Sequence, residues 1–246
     1  MRPVPRISTR GYYDLRTGRA LKRRRYYLYP ARWFARLAGS PEITVVVHGL
    51  RNDGRAAAQK ALIARRRLRQ LGYAHPVAGF SYDSNTTGAH LAKSEARAVA
   101  AGNRIAAANG RHLGMFVQDL AASSPRTRVR LVGHSLGSQV IHSCLGYLAA
   151  RGLRVHSVHL FGASIPSDSM SVPGGAAARR AVATRITNYY APSDPVLADA
   201  EARGLADSPL GLRGASGRAI PAYRQRRVRP AGHRFAEYAA VLRSFP

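Results

Sequence analysis

The chain has 246 residues, 46% of them hydrophobic and 21% charged, which is typical of a globular protein and excludes wholesale disorder, a collagen-like fibre and a coiled coil. Its net charge of +27 comes from 39 Lys and Arg residues against 12 Asp and Glu, and 36 of the cations are Arg. Such a charge favours an anionic partner, such as nucleic acid or an acidic lipid surface, but it does not define the fold.

Residues 1–40 differ in composition from the rest of the chain. They hold eleven Lys and Arg residues against one acid, Asp14, with aromatic residues between them. The run from Lys22 to Tyr27 combines cations with rings, as segments that bind single-stranded nucleic acid do. The side chains that could instead enter a lipid headgroup layer are Tyr29, Trp33, Phe34 and Leu37. A third interpretation is an arm that packs on the domain and is rich in Arg through codon bias. We therefore divide the chain into a basic arm, residues 1–40, and a main domain, residues 41–246.

From Glu42 onward, short apolar runs alternate with longer helical stretches, which indicates βαβ units and a mostly parallel sheet. The predicted strands span residues 43–47, 76–80, 129–132, 155–161 and 184–190, with a short one near 227–228. The predicted helices span about 55–71 and 89–122, then from the residues after Gly137 to about 150, and 234–242. Gly102, Gly110 and Gly114 are expected to break the second helical region, and residues 204–222 to form a loop.

The segment Gly133-His134-Ser135-Leu136-Gly137 matches the pattern G-x-S-x-G between a predicted strand and a predicted helix. In that context the serine lies on a sharp, strained turn, and the two glycines allow strand and helix to pass closely. The hydroxyl is presented at the top of the sheet, beside the positive end of the following helix. The pattern predicts Ser135 as a nucleophile; the alternative is a purely structural turn.

A serine nucleophile needs a histidine base and an acid that orients the base, in the chain order Ser, Asp or Glu, His. Asp194 follows a predicted strand, and His233 lies between the last strand and the last helix. Asp194 could also be a turn residue before proline, and Asp168 is the second candidate for the acid. Among the other histidines, His134 belongs to the G-x-S-x-G turn.

Backbone N–H groups must hold the negative charge that develops on the substrate oxygen. Leu136, which follows the nucleophile, supplies one. The second is expected from Leu50, with Arg51 as its neighbour, in the turn after the first predicted strand, where His48-Gly49 permits a tight turn. We expect His48 itself to be a buried structural residue that braces this turn. The loop 80–85 either lines the pocket or is a polar turn.

Together these residues resemble the α/β-hydrolases of the serine esterase and lipase group, over about residues 42–246. His48-Gly49, the turn around Ser135 with its supporting Gly133, His134 and Gly137, then Asp194 and His233 match that group's oxyanion turn, nucleophile elbow, acid and base. The resemblance implies an α/β-hydrolase fold, with a mostly parallel sheet flanked by helices on both faces and residues 41–246 as the catalytic domain. It also implies hydrolysis of a small-molecule or lipid carboxylic ester through an acyl-enzyme, with neither cofactor nor metal.

The chain departs from the group at two points. It reaches the group's third strand near residue 42, so residues 1–40 either replace the first two strands or those strands are missing. It also lacks a long insert for a large lid, which favours an open or shallow site. Acyl transfer and the hydrolysis of thioesters or amides use the same residues. The alternative function is a basic protein that associates with nucleic acid or an anionic membrane on a hydrolase scaffold, with hydrolysis secondary or lost.

Cys144, the only cysteine, excludes a disulfide within the chain and a cysteine-rich zinc site, and it fits a reducing compartment. No run of 18 apolar residues predicts a transmembrane helix, and Arg interrupts every apolar run that could serve as a secretory signal. We therefore expect a cytoplasmic protein, with peripheral attachment to an anionic surface as an extension of that expectation. The oligomeric state is left open.

Overall fold

The computed structural model describes residues 4–22, 24–37 and 39–246. Eight strands within these ranges form one sheet in the order β2-β1-β4-β3-β5-β6-β7-β8. Its strands are β1 (Arg6–Ser8), β2 (Tyr27–Tyr29), β3 (Glu42–Val47), β4 (Val77–Ser81), β5 (Arg128–His134), β6 (Val155–Phe161), β7 (Val182–Tyr190) and β8 (Tyr223–Arg227). Only the edge pair β1 and β2 is antiparallel among these described strands, so the sheet is mostly parallel.

Helices cover both faces of the sheet. They are α1 (Ala31–Ala35), α2 (Gly54–Gln70), α3 (Glu95–Ser123), α4 (Gly137–Ala149), α5 (Ala176–Ala181), α6 (Pro195–Ala202), α7 (Leu210–Arg213) and α8 (Phe235–Val241), with short 3-10 turns at Ala92–Ser94 and Ser167–Met170. Helices α3, α4 and α5 pack together on one face, and α2 and α8 pack together on the other. No helix of the described residues is long and apolar enough to cross a membrane.

Strand β3 shows why the central strands are apolar throughout. All six of its residues are buried. Val45 and Val47 join the core under α3 and α4, whereas Val46 joins the core under α2 and α8. Successive side chains of a strand point to opposite faces, so a strand covered on both faces needs apolar residues at every position. This doubly covered parallel sheet has the α/β-hydrolase architecture that the resemblance implied.

The basic arm contributes to the same sheet. Strand β1 lies parallel to β4, with Ile7 opposite Phe80, and β2 forms the edge. These two strands take the place before β3 that the sequence left open. Phe34 and Leu37 are 8% and 3% exposed and belong to the core, so in this fold they are not available to a headgroup layer. Arg2 and Arg23 lie outside the described residues. A nucleic-acid or anionic-membrane partner for the arm stays a prediction.

Helix α3 runs unbroken over 29 residues, so the predicted breaks at Gly102, Gly110 and Gly114 are wrong. The glycines mark close packing instead. A Cβ on Gly110 would overlap Ser143 in α4, and a Cβ on Gly114 would lie 2.9 Å from Cγ of Tyr147 in the same helix. Because glycine has no side chain, the backbones of α3 and α4 can approach each other closely. The helical hydrogen bonds of α3 remain unbroken. The other elements differ from prediction in detail, with β8 several residues earlier and the short helices α1, α5, α6 and α7 unpredicted.

This packing gives a prediction of opposite sign for two glycines. Gly110→Ala should lower the free energy of unfolding by about 1–3 kcal/mol, because its methyl group would be forced into α4. Gly146→Ala should instead raise it by roughly 0.5–1 kcal/mol, since a Cβ there meets nothing within 4 Å. Urea denaturation of both variants measures the two changes. Similar changes in both would contradict the close approach of α3 and α4.

Candidate active site

Ser135 lies at the junction of β5 and α4 with a φ of +53°, in the left-handed region that residues other than glycine rarely adopt. Both flanking positions require glycine because neighbouring parts of the chain pass too close for a side chain. A Cβ on Gly137 would overlap the carbonyl oxygen of Val47 at the end of β3, and one on Gly133 would lie 2.8 Å from Cδ1 of Ile141. The strained turn and the glycine pair are therefore present where the sequence predicted them.

A chain of two hydrogen bonds joins Ser135, His233 and Asp194. Ser135 Oγ lies 2.9 Å from His233 Nε2, and His233 Nδ1 lies 2.7 Å from Asp194 Oδ2. His233 is in the turn between β8 and α8, and Asp194 caps the start of α6. The structure thus brings together the three side chains selected from the sequence. Asp168 lies elsewhere, in the 3-10 turn after β6, and forms no part of this chain.

The surroundings of Asp194 favour its ionised form. Burial by itself raises the pKa of Asp194, but hydrogen bonds from His233 and Tyr238 and the charge of His233 outweigh it, so the pKa lies below its usual value. The hydroxyl of Tyr238 in α8 donates to Asp194 Oδ2 at 2.6 Å, and the backbone amides of Val196 and Leu197 donate to Oδ1. An ionised Asp194 accepts a hydrogen bond from the Nδ1–H of His233, which leaves the unprotonated Nε2 facing Ser135.

Tyr238 was not identified from the sequence. It is fully buried, and its ring belongs to the core under α2 and α8. An aromatic residue on the apolar face of a helix is typical of a core position, so nothing in the local pattern distinguishes it. Its contact with Asp194 spans 44 positions of the chain and depends on how α8 packs against the sheet.

His134 supports the turn that carries His233. Its Nε2 lies 2.7 Å from the carbonyl oxygen of His233, to which it donates, and the two rings are 5.0 Å apart. Burial holds the pKa of His134 well below its usual value, so the ring is neutral. The second residue of the elbow therefore positions the backbone of the histidine that faces Ser135.

The turn after β3 packs directly against Ser135. A Cβ on Gly49 would lie 2.8 Å from Cβ of Ser135, so only glycine fits there. The side-chain amide of Asn52 donates to the carbonyl oxygens of Gly49 and Leu50, at 2.9 and 2.6 Å. Because the C=O and N–H of a trans peptide point in opposite directions, the Leu50 N–H points away from Asn52. Within the described part of the chain, the Leu50 and Leu136 amides donate to no other protein group.

His48 is a structural residue of this turn, as expected. It is buried and stacks on the ring of Tyr82 with centroids 4.5 Å apart. Its Nε2 accepts a hydrogen bond from the Tyr82 amide, and its Nδ1 donates to the carbonyl oxygen of Gly49 at 3.0 Å. Burial lowers the pKa of His48 to about 3, so the ring remains neutral.

Arg10, from the basic arm, braces the other end of the same turn. Its guanidinium donates to the carbonyl oxygens of Asn52 and Asp53, at 3.1 and 2.9 Å, and to Ser81 Oγ at 2.7 Å. In the sequence, nothing distinguishes Arg10 from the other cations of the arm. A planar guanidinium can hold several acceptors at once, which suits it to fixing a turn. Arg10 thereby connects the arm to the turn beside Ser135.

The loop that follows β4 faces the arm and does not line the cleft, which corrects the first of its two interpretations. The carboxylate of Asp83 is buried and accepts hydrogen bonds from the backbone amides of Gly11, Tyr12 and Tyr13. These bonds hold the chain immediately after Arg10. Asp83 and Arg10 therefore act together in attaching the arm to the site.

Ser135 and His233 open into a cleft of about 1240 Å³. Helix α6 and the first half of α3 form its walls. Glu95 at the start of α3 pairs with Arg51 of the turn after β3, and its Oε2 lies 2.7 Å from Arg203 at the end of α6. Within the described residues, the cleft is bordered by these two helices and by the turn after β3, with no inserted domain between them. A site without a large lid stays an expectation.

Residues 95–199 match a family described as Protein of unknown function (DUF726). None of the curated proteins matches the chain in sequence. Among solved structures, TT1662 from Thermus thermophilus is 17% identical, with 82% of this chain and 86% of that one covered, at a TM-score of 0.47. The catalytic core domain of acetyl xylan esterase from Trichoderma reesei is 13% identical, with 71% and 97% covered, at a TM-score of 0.38. A cutinase from Trichoderma reesei, in complex with a phosphonate inhibitor, is 17% identical, with 62% and 67% covered, at a TM-score of 0.31.

The bracing by Arg10 gives a prediction. Arg10→Met should lower the free energy of unfolding by about 1–3 kcal/mol, because the buried residues Asn52 and Ser81 lose charge-assisted hydrogen bonds. It should also speed amide hydrogen exchange over residues 49–53. Arg6→Met is the matched control, since the Arg6 guanidinium lies over the exposed ring of Tyr29, 4.3 Å from its centroid. Hydrogen exchange with mass spectrometry compares the two. Unchanged exchange in the Arg10 variant would show that the turn does not depend on this residue.

Proposed function

We propose that this protein is a serine hydrolase of the α/β-hydrolase superfamily, similar to serine esterases and lipases, that cleaves carboxylic esters through an acyl-enzyme on Ser135. The observation that carries the proposal is the hydrogen-bond chain from Ser135 through His233 to Asp194 at the base of an open cleft. Two further features support the same function. The backbone at Ser135 is strained, and the backbone N–H groups of Leu50 and Leu136 beside it donate no hydrogen bond within the described residues.

In the first half of the proposed reaction, Ser135 attacks the carbonyl carbon of the ester. As the Oγ–C bond forms, His233 Nε2 takes the hydroxyl proton, and Asp194 stabilises the resulting imidazolium. The amides of Leu50 and Leu136 donate to the carbonyl oxygen, which becomes an oxyanion in the tetrahedral intermediate. When the intermediate collapses, the bond to the alcohol oxygen breaks and His233 returns its proton to that oxygen.

In the second half, water repeats the sequence. His233 Nε2 takes a proton from water while the water oxygen attacks the acyl carbon. Collapse of the second intermediate breaks the bond to Ser135 Oγ, which regains its proton from His233, and the carboxylic acid leaves. The low pKa of Asp194 keeps its carboxylate charged throughout, so it can orient His233 in both halves. The neutral His134 holds the carbonyl of His233 and keeps the ring in line with Ser135.

The ester class follows from the resemblance, because the Gly-His-Ser-Leu-Gly elbow is frequent among lipases and esterases. The open cleft favours small esters dissolved in water over substrates that require opening of a lid. Thioester and amide hydrolysis would use the same residues and are outcomes that a substrate panel would separate.

Replacing the proposed nucleophile gives the first test of function. Ser135→Ala should lower kcat for a short 4-nitrophenyl ester by at least about 10³-fold, because no acyl-enzyme can form. A fluorophosphonate probe should label the unaltered protein and not this variant. Ser164→Ala is the control, since Ser164 lines the same cleft, whereas the hydroxyl that His233 Nε2 meets is that of Ser135. Hydrolysis and labelling that persist without Ser135 would refute the proposal.

A second test separates the two candidate acids. Asp194→Asn should lower kcat by about 10³- to 10⁴-fold, because an amide can no longer hold the His233 tautomer that accepts the serine proton. Asp168→Asn should leave kcat within about twofold, since Asp168 lies outside the hydrogen-bond chain. Steady-state kinetics on the same ester measures both. A larger loss in the Asp168 variant would reverse the assignment of the acid.

A further inference from the structure

Two cations lie at one end of the cleft, beside the proposed catalytic residues. Lys60 in α2 and Arg234, the residue after His233, both line the cleft together with Ser135. Neither residue belongs to a sequence motif identified above. Lys60 is half-buried, and Arg234 is exposed.

The packing of α2 on α8 places these cations next to each other. Arg67, seven positions after Lys60 and on the same face of α2, donates to the carbonyl oxygens of Ala240 and Leu242 at the end of α8. Lys60 and Arg234, which caps the start of α8, both line the cleft, so the two helices run side by side in the same direction. The charge of Arg234 accordingly lowers the pKa of Lys60, in addition to burial, the larger cause.

Within the described residues, neither cation has an acidic partner. No ion pair involves Lys60 or Arg234, and the Lys60 ammonium forms no hydrogen bond there. Glu237 accepts a hydrogen bond from the backbone amide of Arg234 rather than from its side chain. Two acids of the cleft lining are paired elsewhere, since Glu95 pairs with Arg51 and Arg203, and Asp199 pairs with Arg203.

Lys60 is half-buried beside the positive charge of the exposed Arg234, so its ammonium is partly stripped of water and repelled, which costs free energy unless an anion neutralises it. We propose that Lys60 and Arg234 form a subsite for a carboxylate carried by the substrate. The inference rests on the proposed function and narrows it to esters with a free carboxylate near the scissile bond, such as half-esters of dicarboxylic acids. A carboxylate there would accept charge-assisted hydrogen bonds from both side chains.

The net charge of +27 attracts any anion, so the test must separate a local subsite from the general field. We compare kcat/KM for mono-4-nitrophenyl glutarate, which carries a carboxylate, with that for neutral 4-nitrophenyl butyrate. Lys60→Gln should lower the ratio of the two values by about 10- to 100-fold, mainly through KM of the glutarate. Lys60→Arg should retain most of the ratio. Lys93→Gln removes the same charge from an exposed position outside the cleft lining and should leave the ratio unchanged.

A binding measurement keeps the subsite testable without turnover. Monomethyl glutarate is titrated into the full chain carrying Ser135→Ala, with and without Lys60→Gln, and its binding is followed by ligand-observed NMR. Weaker binding in the double variant supports the subsite even if neither ester is hydrolysed, in which case only the proposed hydrolysis fails. Hydrolysis of both esters with an unchanged ratio, together with binding that does not depend on Lys60, overturns the subsite and leaves the hydrolase proposal intact. Circular dichroism checks that each variant is folded.

Discussion

The left-handed backbone at Ser135 is the constraint on which the rest of the site depends. A φ of +53° costs a residue with a side chain about 1–2 kcal/mol. This conformation persists because hydrogen bonds from the surrounding chain hold the backbone of Ser135 in place. The Ser135 amide donates to the carbonyl oxygen of Phe161, and Ser138 Oγ donates to the carbonyl oxygen of Ser135 at 2.6 Å. With both peptide groups fixed, the side chain points out of the sheet toward His233. Relaxing the turn would turn the hydroxyl away from the ring.

The basic arm is a structural part of the site, which changes the meaning of the charge. Several arginines are used inside the fold. Arg10 fixes the turn beside Ser135, and Arg130, 7% exposed, pairs with the buried Glu42 at the opposite end of the sheet and donates to Ser157. Arg67 holds carbonyl oxygens at the end of α8. Guanidinium groups suit these tasks, because one planar group satisfies several buried acceptors. The arginine content therefore reflects internal bracing as well as surface charge.

The two sides of the cleft differ in whether their charged side chains have ion-pair partners. On the α6 side, Glu95 joins the turn after β3 to the end of α6 through Arg51 and Arg203, so charge there is neutralised within the protein. On the α8 side, Lys60 and Arg234 are left without acidic partners among the described residues. The close approach of α3 and α4, made possible by glycines in α3, sets the position of the wall that carries Glu95. Packing of helices and pairing of charges thus shape one site together.

The sequence by itself determined the features with local causes. Apolar runs and helical stretches predicted the strands from β3 onward and the helices α2, α3, α4 and α8. The G-x-S-x-G pattern predicted the turn at Ser135. Chain order selected Asp194 and His233, which the structure places in hydrogen-bond contact. Only the tertiary structure decided which distant partner each surface meets. The strands of the arm have only three residues each, too few to show a pattern. The glycines of α3 indicated breaks because the sequence does not show that α4 packs against them. Arg10 and Tyr238 act on residues more than 30 positions away. A local pattern encodes which face of an element is buried, whereas the identity of the group that buries it depends on the packing of the whole chain.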